Sequence, residues 1–186
     1  MSGWEVDTSK EAWTRRAKAA CEWRGLAQPE AASWIGELVR DNDSEGARDG
    51  GRVIRCHGGE MTAEDVAGLG LRKGIRIGWI YWHALTDKGR LDPIGSSELL
   101  YCGTMFRFYR ERDWAGFLRL RVEEVQFIAT RDNRTCRVGF DAHGRTFPLG
   151  QAMTIPLPEC DAEHCLCFYM TYKDRRGRVR DRAHYD

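Results

Sequence analysis

The chain's patterning predicts a mixed α+β fold on three observations. Apolar residues recur at helical spacing through the first forty positions, alternate strictly from Gly74 onward, and later fall in short runs separated by turn residues. The expected architecture is an N-terminal helical hairpin followed by a mostly antiparallel sheet with one short helix. The expected divisions are a hairpin over 1–40, a linker over 41–51, an antiparallel β-rich domain over 52–173 and a basic flexible tail over 174–186.

Each element has a local reason. Thr8 with Glu11 three residues on reads as a capping box, opening a helix in which Trp13, Ala17, Ala20 and Cys21 share one face. Pro29 suits the first turn of a second helix, with Trp34, Ile35, Leu38 and Val39 as its apolar stripe. "RDNDSEGARDGG", Arg40 to Gly51, is charged and glycine-rich and marks the linker. Arg52 to Cys56 reads as a short strand, and Thr62 with Asp65 caps a brief helix. From Gly74, Ile75, Ile77, Trp79, Tyr81, His83 and Leu85 point one way, and Ile80, Trp82 and Ala84 the other, as in a central strand. The runs "ELLYCGTMFRFY", "GFLRLRVEEVQFIAT", "TCRVGFD", "TFPLGQAMTIPL" and "CLCFYMTYK" then read as an antiparallel meander, with turns at Arg131-Asp132-Asn133 and Ala142-His143-Gly144.

Composition bounds the function. A chain of 186 residues has room for one main core. No apolar run approaches the roughly 20 residues that cross a bilayer, and the start lacks the basic-then-apolar pattern of a signal peptide. No membrane partner is therefore expected. Seven cysteines without a secretory signal point to free thiols in the cytoplasm rather than a disulfide framework. The net charge of +1 is unevenly spread: Met1–Gly51 carries ten acidic and seven basic residues, Lys173–Asp186 three acidic and six basic. Ser96-Ser97 has no neighbouring histidine, no phosphate-binding loop is present, and Glu123-Glu124 point to opposite strand faces, which argues against hydrolase and nucleotide triphosphatase chemistry.

Three stretches carry candidate chemistry, and the N-terminal helices add a candidate partner surface. Trp79, Tyr81, Trp82, Phe106, Phe108 and Tyr109 interleave with Arg76, Arg107, Arg110 and Arg112, and the tail adds Arg175, Arg176, Arg178 and Arg180. Bases stack on aromatics and phosphates pair with arginines, so RNA or single-stranded DNA is the expected partner. "ECDAEHCLC" gathers Cys160, His164, Cys165 and Cys167, donors that suit zinc, with Cys136 or His143 available to complete a set; two small buried residues would explain Cys165 and Cys167 equally well. The helices' Trp13, Trp23 and Trp34 offer an apolar patch to a protein partner, as in an inhibitor.

The third stretch begins at His57-Gly58, followed by "TAEDVAG", Gly70-Leu71, Arg76 within "GIRIGWIYW", and a Phe-Tyr pair in "FRFYRERDWAGFLRL". This order, over Val53 to Leu120, resembles the ADP-ribosyltransferase superfamily, in particular the corresponding half of RNA 2′-phosphotransferases. The resemblance implies a pocket for NAD or an ADP-ribosyl end, lined by His57, Arg76 and Tyr81. Glycine would let the backbone approach the ligand, imidazole would bond a ribose hydroxyl and arginine a diphosphate. No resident cofactor is expected outright; NAD and zinc are the two the residues admit, and whether the chain is an enzyme stays open.

Overall fold

The computed structural model describes residues 5–130, 135–162 and 165–171. The chain divides into two compact units, Met1–Arg112 and Asp113–Asp186. The fold is α+β, with helices at the N-terminus and a small antiparallel sheet toward the C-terminus. Helix is far more extensive than expected, and most segments read as strands are helical.

In the first unit Ser9, not Thr8, caps the first helix: its hydroxyl accepts from Ala12 N at 3.2 Å. Helix α1 runs Lys10–Arg24 and stops at Gly25, whose φ of 61° turns its N–H back to the carbonyls of Cys21 and Glu22. The expected face of Trp13, Ala17, Ala20 and Cys21 is buried. A 3-10 turn at Pro29–Ala31 leads into α2, Ala32–Asp41, which buries Ile35, Gly36 and Val39. The two helices pack so closely that a Cβ at Gly36 would stand 2.8 Å from the Trp13 carbonyl.

The segment read as a linker is a turn followed by α3, Ala47–Arg55, and the expected strand at 52–56 is the end of that helix. Its glycines serve packing, not flexibility: a Cβ at Gly50 would lie 2.2 Å from the Tyr101 ring. Helix α4, Ala63–Gly68, has the expected cap, with Thr62 and Asp65 exchanging side-chain and backbone hydrogen bonds. The alternating stretch from Gly74 is a loop and then α5, Trp79–Ala84, so that Tyr81 and Leu85, four apart, are both buried. Helices α6, Asp87–Leu91, and α7, Pro93–Arg119, follow. Here "ELLYCGTMFRFY" is helical because Ser97, Leu100, Tyr101, Thr104 and Met105 recur three or four apart and are buried together. Pro93, with no N–H to lose, opens the helix.

One core joins these helices through Trp13, Ile35, Val39, Ile54, Ile77, Tyr81, Leu85, Leu100 and Met105. Two buried hydroxyls within it are bonded: that of Tyr81 donates to Pro93 O at 2.6 Å and that of Thr104 to Leu100 O at 2.8 Å. Arg16, only 1% exposed, lies against the Trp13 and Phe108 rings and donates to Glu111 and to Asp7 O.

The second unit is built on three strands, β1 Glu124–Ile128, β2 Thr146–Pro148 and β3 Phe168–Thr171, ordered β2-β1-β3 and antiparallel throughout. Val125 faces Phe147 on one side and Thr171 on the other; Phe127 faces Tyr169. The expected strand "TCRVGFD" is instead a helix, α8, Arg137–Ala142, capped by Cys136. The expected turn at Ala142-His143-Gly144 leads out of it, with Gly144 at φ 81°. Among the described residues no helix is long and apolar enough to cross a membrane.

Candidate functional site

His57, Arg76 and Tyr81 occupy three different surroundings. The half-buried His57 ring stacks on Trp34, centroids 4.5 Å apart. Its carbonyl accepts from Tyr81 N at 3.3 Å and leaves no room for a Cβ on Gly78. Gly58 and Gly59, at φ 89° and 83°, supply the turn that follows. Arg76 forms a two-pronged ion pair with Glu60 at 2.7 and 2.8 Å, which holds the Glu60 carboxyl below its usual range. Tyr81 has no exposed surface, and burial pushes its hydroxyl's pKa up. It belongs to the core rather than to a cleft. Around these residues α3 and α5 stand where the ADP-ribosyltransferase resemblance implies strands.

The aromatic and arginine stripe does not lie on a sheet. Phe106, Arg107, Phe108, Tyr109, Arg110 and Arg112 all belong to α7. Phe108 stacks on Trp13 at 4.9 Å, Arg107 donates to Ala19 O at 3.2 Å and Arg112 sits over the Tyr109 ring at 5.0 Å. Of the N-terminal tryptophans, Trp13 is buried, Trp34 carries His57 and Trp23 carries Arg24, 4.5 Å above its ring. The tail arginines Arg175, Arg176, Arg178 and Arg180 lie outside the described residues, as does His164.

The sheet itself presents an apolar face that sequence reasoning did not single out. Phe127 and Tyr169 meet edge-to-face at 5.5 Å on the packed side, where Trp114 and Phe147 also reach Tyr169. On the opposite side Phe168 pairs with Ile128 and Met170 with Gln126. Phe168 is 40% exposed and Met170 46%. The signal was the alternation within "CFYMT": once one phase packs, the other must face out.

The expected cysteines do come together, joined by Cys136. Cys136 Sγ accepts from Gly139 N at 3.2 Å. A Cβ at Gly139 would meet Cys167 Sγ at 3.0 Å and Cys136 Sγ at 3.1 Å, so glycine makes room for both sulfurs. The Cys160 thiol has Cys136 and Cys165 as neighbours, and the Cys167 thiol has Cys165, Cys136 and Cys160. Burial and then the neighbouring Cys165 push the Cys160 thiol up to about 12; the bond to Cys165 and then burial push Cys167 up as well. All seven cysteines are free thiols. His143 is occupied elsewhere, its Nδ1 accepting from Ala129 N at 3.1 Å. Among the described residues no three or more His, Cys, Asp or Glu side chains stand ready-made around a metal position.

No protein-family model, curated protein or solved structure matches the chain.

Proposed function

We propose that the chain binds single-stranded nucleic acid, RNA or DNA, on the open face of its sheet, with the basic tail as the phosphate contact. The observation that carries this reading is the exposed pair Phe168 and Met170 on β3, directly before the segment Lys173–Asp186 with its six basic residues. An exposed sheet-face phenylalanine gives a base a stacking surface, and Met170 and Ile128 extend it with adaptable apolar contact. The basic segment supplies the charge that the rest of the chain, near neutrality, lacks.

Fluorescence anisotropy of a labelled oligouridine, titrated with the full chain at two salt concentrations, tests it. Base stacking is worth about 1–3 kcal/mol by alanine substitution, so Phe168→Ala should weaken binding at least fivefold. Replacing Arg175, Arg176, Arg178 and Arg180 by alanine removes four charges and should flatten the log–log salt slope by up to about 3, at roughly 0.7 per charge on a single strand. Binding that neither change alters would overturn the reading. NAD in the same titration is expected to be silent, because Tyr81 is buried and Arg76 is engaged by Glu60.

A further inference from the structure

We propose that Cys136, Cys160, Cys165 and Cys167 are the four ligands of a structural zinc ion that closes the sheet unit. The four come from separate parts of the chain: the cap of α8, the loop after Leu157, and the two positions that lead into β3. Chance burial of small apolar residues explains one or two such cysteines. It does not explain why Cys136 and Cys167 both place their sulfurs at Gly139 with Cys160 and Cys165 as the next thiols beside them.

Three further features fit a tetrathiolate. Gly139 leaves the space in which Cys136 and Cys167 both place their sulfurs, and its N–H already points at Cys136 Sγ, the kind of backbone bond that supports a metal-bound thiolate. Among the described residues, the buried apolar side chains of the unit otherwise amount to a thin set, Val125, Phe127, Ala129, Ala142, Ile155, Leu157 and Ala162, with a single large aromatic among them. Small units with so little core are commonly held by a metal or by disulfides. The donor set, all sulfur and four in number, selects a thiophilic ion of tetrahedral preference.

At a zinc–sulfur distance of about 2.3 Å the sulfurs of a tetrahedron lie about 3.8 Å apart, the scale of a thiol–thiol hydrogen bond. Entry of zinc replaces the S–H protons, which pass to solvent, and forms four zinc–sulfur bonds. No oxidation or reduction is involved.

The test uses the full-length chain, expressed in zinc-supplemented medium. Metal analysis should give one zinc per chain, released by about four equivalents of a thiol-specific mercurial. Cobalt exchanged into the wild-type protein should show the intense thiolate-to-metal charge-transfer band and the visible bands of a tetrahedral site. Cys136→Ser and Cys167→Ser should lose the metal, whereas Cys56→Ser, Cys102→Ser and His164→Ala should retain it. The cobalt spectrum reads the ligands in the unaltered chain, so misfolding of a serine variant does not rescue or sink the proposal. A wild-type protein with little zinc and no thiolate band with cobalt would overturn it. So would loss of the metal in His164→Ala with retention in Cys136→Ser. Neither outcome depends on whether nucleic acid binds.

Discussion

Replacing Gly36 by alanine should destabilise the first unit, although in an unobstructed helix the same change stabilises. Removing glycine from a helix interior gains about 1 kcal/mol in propensity. Against that, the new Cβ would meet Trp13 C and O at 2.8 Å and Thr14 N at 2.9 Å. These are backbone atoms of α1, which no side-chain rotation moves, so the two helices must draw apart to roughly 3.5–4.0 Å contact. Overpacking of this kind costs about 1–3 kcal/mol. Separation also loosens Trp13, Ile35 and Val39, which are buried where the helices meet. The expected net loss is about 1–2 kcal/mol, read as a lower urea midpoint with an unchanged slope. Gly116→Ala in α7 provides the contrast, since nothing lies within 4 Å of its Cβ position; it should gain up to about 1 kcal/mol. Urea unfolding followed by circular dichroism and tryptophan fluorescence measures both. A Gly36→Ala protein as stable as the parent would refute the close approach of α1 and α2.

Other substitutions read separate parts of the structure. Arg121, at φ 53°, ends α7 in the left-handed conformation while Val122 N returns to Phe117 O at 2.9 Å, so Arg121→Gly should stabilise by about 1 kcal/mol in thermal unfolding. Tyr81→Phe leaves the Pro93 carbonyl without its donor in the core and should cost about 1–3 kcal/mol in urea unfolding; a neutral effect would place the hydroxyl outside that bond. Asp65 is held below the usual carboxylate range by its bonds from Thr62, first the side chain and then the backbone. A depressed carboxyl stabilises fully above its unfolded pKa of about 3.9 and loses that contribution as pH falls through the lower folded value. The stability difference between the parent and Asp65→Asn should therefore be constant from neutral pH to about 4 and shrink below it; a difference that widens in acid would contradict the cap.

The features legible in the sequence were those decided by neighbours along the chain. The face of α1, the Thr62–Asp65 cap, the turn at Ala142–Gly144 and the presence of a strand in each of "GFLRLRVEEVQFIAT", "TFPLGQAMTIPL" and "CLCFYMTYK" needed only local spacing and turn chemistry. What failed was the choice between helix and strand where apolar residues surround the element. In α7 Leu100, Tyr101, Thr104 and Met105 face the core, but Leu99, Cys102, Phe106 and Tyr109 are half-buried too, so the helical stripe blurs and the aromatics suggest a strand. The glycines of 46–51 misled for a related reason: Gly50 and Gly51 mark close packing against Tyr101 and Glu98, a tertiary cause that looks like a linker in one dimension. The thiol cluster was half visible. Cys160, Cys165 and Cys167 announce themselves by spacing, whereas only the packing around Gly139 shows that Cys136, and not His143, belongs with them.

If zinc holds the second unit together, withdrawing it should act on one unit and spare the other. The apparent binding energy of structural zinc in small thiolate sites, about 10–16 kcal/mol at neutral pH, matches or exceeds the 5–15 kcal/mol by which whole domains are stable. Loss of the metal is thus enough to unfold the sheet outright rather than loosen it. The first unit draws its stability from a continuous helical core that contains none of the four cysteines. Hydrogen exchange distinguishes the two directly. On addition of a strong chelator, the amides of Phe127, bonded to Arg145 O at 2.9 Å, and Gly144, bonded to Phe127 O at 2.8 Å, should lose protection. The amides of Met61, bonded to Ile77 O at 2.9 Å, and Gly78, bonded to Arg55 O at 2.8 Å, should keep theirs. Unchanged protection at Phe127 in a chain shown to be metal-free would mean that the sheet stands on its thin core alone, and the four thiols would then be packing and nothing more.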